Sequence, residues 1–133
     1  MVGRLVHGRC LLPTGQKETS PMDPVRLPHH RLVAYGVAIE LLRAVRAARV
    51  RDSVLRDQAL RAAKSACLNC AEGAGRVSRA DRARVFGIAR AEACEAAAAV
   101  EIAVAAGEAE EGALEAVLVS ANRFVAMTTG LIR

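Results

Sequence analysis

Alanine decides what this chain can fold into. It fills 28 of the 133 positions, against three aromatic residues, Tyr35, Phe86 and Phe124, and no tryptophan. Alanine is the best helix former and a poor strand former. A β-sandwich is therefore excluded, and so is a nucleic-acid platform of stacked aromatic rings. Hydrophobic residues reach 53% of the chain, enough for one globular domain. So many of them are methyl-sized that the core must be thin.

Apolar spacing divides the chain into four helices. Leu32, Tyr35, Ala38, Ile39, Leu42 and Val45 recur at steps of three and four, predicting a first helix over about His30 to Val50. A second starts at Asp52 or Ser53, either of which can cap it, and runs to Glu72, where Gly73 and Gly75 are expected to stop it. Ser78 caps a third helix from Arg79 to Ala106, ended by Gly107. Between Phe86 and Ala106 this helix has only four charges, so burial on most sides is expected. A fourth helix follows from about Glu110 to Ile132. Gly36 and Gly87, inside helices, would allow close helix approach. Short connections make this an all-α, up-down-up-down four-helix bundle over residues 29–133. A thin core and an apolar third helix also predict burial between subunits, hence an oligomer.

Residues 1–28 read as a disordered N-terminal extension, holding all four prolines and no helical period. Met22, inside this stretch, reads as a candidate alternative translation start. No segment approaches the roughly 20 apolar residues of a membrane span, and no signal peptide is evident, so the simplest location is cytoplasmic.

Charge is uneven. Residues 1–77 carry 13 Lys/Arg against 6 Asp/Glu, and residues 78–133 carry 6 against 8. The basic half suits an acidic partner. Arg43, Arg46 and Arg49 are spaced three apart on the first helix, and Arg51 and Arg56 follow. These five are the candidate phosphate contacts. With so few aromatics, such binding would be backbone-driven and sequence-tolerant.

Catalysis has little to stand on. No Ser/His/Asp set or paired carboxylate site is visible, and a non-enzymatic protein is expected, with no cofactor and no small-molecule substrate. Cys67-x-x-Cys70 puts two thiols on one helical face, the weak candidates for a metal or redox site. In an antiparallel hairpin turning near residues 75–76, Cys67 faces residue 84, and Cys94 lies roughly 15 Å further along at 1.5 Å per residue. His7, His29 and His30 read as solvated. The same hairpin rule brings Arg61, Arg90, Glu92 and Glu95 into one ion-pair group and sets Glu72 near Arg79. Asn69 is expected to be a buried amide satisfying backbone near the helix end.

The stretch from Gln58 to Ser78 contains Arg61-Ala-Ala-Lys-Ser65, Asn69-Cys-Ala71-Glu72-Gly73 and Gly75-Arg76-Val-Ser78. It resembles the four-helix bundle family first described from intervening sequences in the 23S rRNA gene. A second segment, Ile88-Ala89-Arg90-Ala91-Glu92-Ala93-Cys94-Glu95, resembles the family's Ile-Ala-Arg-Gly-Ser-(x)2-Glu. The motif residues are thus Asn69, Ala71, Glu72, Gly73, Gly75, Arg76, Arg90 and Glu95. Ala66 and Cys70 stand where the family usually has isoleucine, and Ala91-Glu92 where it has Gly-Ser.

The resemblance spans about residues 30–132 and implies a four-helix protomer assembling into a ring, typically a homopentamer, with no known enzymatic activity. A distant structural relative of that family binds nucleic acid and a nucleic-acid enzyme, so RNA or such an enzyme is the partner class this analogy suggests. The reading is an oligomeric interaction scaffold with sequence-tolerant RNA binding. The alternatives are a thiol-based sensor through Cys67 and Cys70, and a pure protein-binding module in a mobile element.

Overall fold

The computed structural model describes residues 26–133. Met22, His7 and Cys10 lie outside them, as does most of the segment read as disordered. The helices are α1 (Val33–Ala47), α2 (Ser53–Gly75), α3 (Arg79–Ala105) and α4 (Leu114–Ile132). Short 3-10 turns, Pro28–Arg31 and Glu111–Ala113, lead into α1 and α4, and there is no strand among the described residues. Each helix packs on its two sequence neighbours, α4 closes back on α1, and the α1–α3 diagonal is slight. This is the up-down-up-down bundle.

The α2–α3 pair has the most extensive contact, and alanine is the reason. Ala59, Ala62, Ala63 and Ala66 on α2 and Ala89, Ala93, Ala96 and Ala103 on α3 are fully buried. Methyl-sized side chains let the two backbones approach. Large side chains are few: Phe86, Phe124, Leu41, Val85, Val100 and Val117 fill the rest of the interior. Both positions where the family usually has isoleucine, Ala66 and Cys70, are fully buried, so the loss of volume there thins the core directly. α3 is not covered on all sides, since Ile88 and Ile102 face outward.

Helix ends depart from the sequence expectation in instructive ways. His30 and Arg31 belong to the 3-10 turn, and extended Leu32 separates it from α1. At the far end Arg49 takes φ 49°, a left-handed conformation that stops the helix. The turn drops Val50 into the core. The side chain of Asp52 accepts from the Leu55 amide at 2.9 Å, so it, and not Ser53, caps α2. Ser78 accepts from the Asp81 amide at 3.1 Å and caps α3. Gly107, at φ 77°, follows the end of α3, where a left-handed residue is commonly found. The 3-10 turn delays α4 to Leu114.

The glycines need the largest correction. Gly73 does not stop α2; the helix runs three residues past Glu72 to Gly75, its last residue, and extended Arg76 follows. Gly73 is a contact point. A Cβ there would lie 2.8 Å from Cδ1 and Cε1 of the buried Phe86 ring. Gly36 and Gly87 have open space around the same position and mediate no close approach.

The two kinds of glycine should therefore answer substitution with opposite signs. Gly73→Ala is expected to destabilise by about 1–2 kcal/mol, since overpacking exceeds the helix-propensity gain. Gly36→Ala, in an open helical position, is expected to stabilise by up to about 1 kcal/mol. Urea unfolding followed by circular dichroism reads both, and a shift of the same sign for the two would break the assignment.

Candidate nucleic-acid interface

The α1–α2 and α3–α4 connections share one end of the bundle and are tied together there. The backbone amide of Arg51 donates to the Glu108 carbonyl at 2.7 Å. Its guanidinium donates to the Gly107 carbonyl at 2.6 Å and lies 3.8 Å from Glu110. Arg51 is thus partly spent on holding the fold, a role its place in the sequence does not reveal.

Beside this tie lies a cleft of about 500 Å³ lined by Val45, Arg46, Arg49, Val50, Arg51, Arg56, Ala59 and Leu60. Arg43 joins Arg46 and Arg49 around an adjoining hollow. The structure therefore brings all five candidate arginines to one region. It does so differently from a simple helical stripe, because Arg49 lies past the end of α1 in the left-handed turn. Among the described residues no carboxylate lies within ion-pair distance of Arg43, Arg46, Arg49 or Arg56.

The opposite end carries most of the motif. Glu72 and Arg76 pair one helical turn apart, and Arg76 reaches on to Asp81 at 3.4 Å across the α2–α3 turn. These acids, Glu72 first, raise the Arg76 guanidinium above its ordinary pKa. Arg79 does not meet Glu72, contrary to expectation. It donates to the Arg133 carbonyl at 2.5 Å, because it sits on the first turn of α3 beside the end of α4. Half-buried Asn69 donates to the carbonyl and hydroxyl of Ser65 at 2.9 and 3.0 Å, within its own helix and not at the helix end. Ala71 is half-buried beside it, and Gly75 is the last residue of α2.

Midway along the hairpin, Arg61 reaches Glu95 at 2.6 Å and Glu92 at 3.7 Å. Arg90 does not join this group. Its Nε donates to the Thr129 hydroxyl at 2.9 Å, since its side of α3 faces α4 and not α2. The ion pair at Arg61 is half-exposed, and pairs of that kind contribute about 0–1 kcal/mol. Together these contacts make the motif a clamp: it closes the hairpin and ties α3 to α4.

The thiols separate by burial. Cys67 and Cys70 are buried and Cys94 is exposed. Burial pushes the Cys67 thiol up to about 11 and the Cys70 thiol up to about 12, the latter raised further by Cys67 beside it. Both are neutral thiols at pH 7 and poor nucleophiles. No group of three His, Cys, Asp or Glu converges among the described residues. Iodoacetamide at neutral pH is expected to modify Cys94 well before Cys67 and Cys70; equal rates by peptide mass spectrometry would mean the two buried thiols are accessible. His29 and His30 are not simply solvated. Their rings lie 4.1 Å apart, with His29 4.6 Å from Tyr35, and the His30 Nδ1 accepts from the Leu27 amide at 3.0 Å.

Fold and clamp together define a small antiparallel four-helix bundle protein with an arginine-lined end. A family model described as 23S rRNA-intervening sequence protein matches residues 32–130. The match covers most of the chain, and the protein belongs to that family. Among curated proteins, none matches the chain. No described helix is long and apolar enough to cross a membrane.

Proposed function

We propose that the protein is a non-enzymatic, oligomeric, cytoplasmic scaffold that holds nucleic acid by its phosphate backbone. The observation that carries this reading is the arginine-lined end, where Arg43, Arg46, Arg49 and Arg56 gather without a carboxylate partner among the described residues. Cationic side chains left unpaired in one region attract polyanions and release their counterions. The family's name sets an RNA-related context for the reading.

Assembly is supported by apolar side chains on the outer surfaces of α2 and α3. Val54, Leu68, Ile88 and Ile102 are all exposed, Leu68 to 70%. A ring of five copies would repeat the arginine end around its axis and add weak phosphate contacts by avidity.

The test is a titration with RNA and with DNA of several sequences at rising salt, on protein whose mass is measured by light scattering. Binding that is indifferent to sequence and falls linearly on a log–log salt plot supports the reading. A particle near five chains supports the ring. An oligomer that binds no nucleic acid at low salt would leave protein partners as the alternative, and a monomer at every concentration would remove the scaffold.

A further inference from the structure

The arginine cleft has a floor that phosphate binding alone does not require. Val45, Val50, Ala59 and Leu60 line it beneath Arg46, Arg49, Arg51 and Arg56. Ala59, Val45 and Val50 are buried and Leu60 is half-buried, so the floor is part of the packed bundle. Its volume, about 500 Å³, falls in the range of roughly 300–1,000 Å³ typical of small-ligand pockets. One wall is tied to the neighbouring connection, because Arg51 donates to the Gly107 carbonyl and lies 3.8 Å from Glu110.

An apolar floor under several guanidinium groups matches a ligand that is flat and apolar on its faces and anionic at one end. A nucleotide has that form. The planar guanidinium stacks on a base as well as binding its phosphate, and it does so here in a chain with almost no aromatic rings. In a duplex the base faces are covered by neighbouring base pairs and only the backbone could reach the site. An unpaired nucleotide could seat both its parts.

Resting on the nucleic-acid reading above, we propose that this cleft receives one unpaired nucleotide of a single-stranded nucleic acid. The phosphate lies among Arg46, Arg49 and Arg56, and the base lies on half-buried Leu60. The protein therefore prefers single strands to duplexes of the same sequence.

The experiment uses the full chain with four probes: a short oligouridylate, the same strand paired with its complement, uridine monophosphate, and inorganic phosphate. One stacked base is expected to favour the single strand by about tenfold. Uridine monophosphate is expected to move the methyl NMR signals of Val45, Val50 and Leu60, and inorganic phosphate is not. Leu60→Gln, which keeps every cation, is expected to erase the strand preference while leaving the salt slope unchanged. Equal affinity for strand and duplex, with methyl signals unmoved by the monophosphate, would overturn the cleft assignment and leave backbone binding intact. Absence of binding to either form would overturn the nucleic-acid reading and this assignment with it. The methyl signals keep the assignment testable even if Leu60→Gln fails to fold.

Discussion

Phe86→Ala is expected to lower the unfolding free energy by about 3–5 kcal/mol, the cost of emptying a large buried aromatic site. Phe86 is 1% exposed and is one of only two phenylalanines in the chain. Around it the interior is mainly alanine, whose short side chains cannot swing in to fill a void. Its ring also lies against Gly73, so the space left by the ring would open between α2 and α3 at that glycine. Small domains have about 5–15 kcal/mol in total, so this one change would consume a large share. Denaturant unfolding followed by circular dichroism measures it. A loss below about 1 kcal/mol, outside the range for aromatic truncation, would mean that the site collapses or that Phe86 is not the keystone of the hairpin.

The second large effect is on binding. Arg43, Arg46 and Arg56 changed together to glutamate should weaken RNA binding by two orders of magnitude or more near 0.1 M salt. For a single strand each neutralised phosphate contributes about 0.7 to the log–log salt slope, so three lost contacts cost roughly 10^2.1 in affinity near 0.1 M relative to 1 M salt. The slope itself should fall by about two. Arg49 is left in place because it forms the left-handed turn, and Arg51 because it ties the two connections. The three chosen side chains form no ion pair among the described residues, so the unfolding midpoint should barely move. Unchanged RNA affinity with an unchanged midpoint would remove this end of the bundle from the binding function.

Local features carried the fold. Periodic apolar residues, the Asp52 and Ser78 caps and Gly107 all act within a few residues of chain, and each has a signature in the order of residues. The Glu72–Arg76 pair, four apart at the end of α2, was open to the same reading. For Gly73, Gly36 and Gly87 the sequence shows only that a residue lacks a Cβ, not what would meet one. Gly73 lies under Phe86, thirteen positions away, while Gly36 and Gly87 face open space. Arg90 was placed with Arg61 by a facing rule that fixes height along the hairpin. It does not fix direction around the helix, and direction sends Arg90 to Thr129.

The arginines show the same division. Their charge and their number are written in the sequence, and so is the lack of aromatics that makes any stacking fall to guanidinium groups. The fold adds the rest. Arg51 is drawn away to residues more than fifty positions distant. The left-handed turn at Arg49 swings that side chain off the helix, and Val50 and Leu60 come together as a floor. By itself the sequence determined an alanine-packed four-helix bundle and its family, because helix propensity, capping and periodicity are short-range. Only the tertiary structure decided which cations remain unpaired and what surface lies beneath them, because pairing and burial depend on residues that meet through packing and not through the chain.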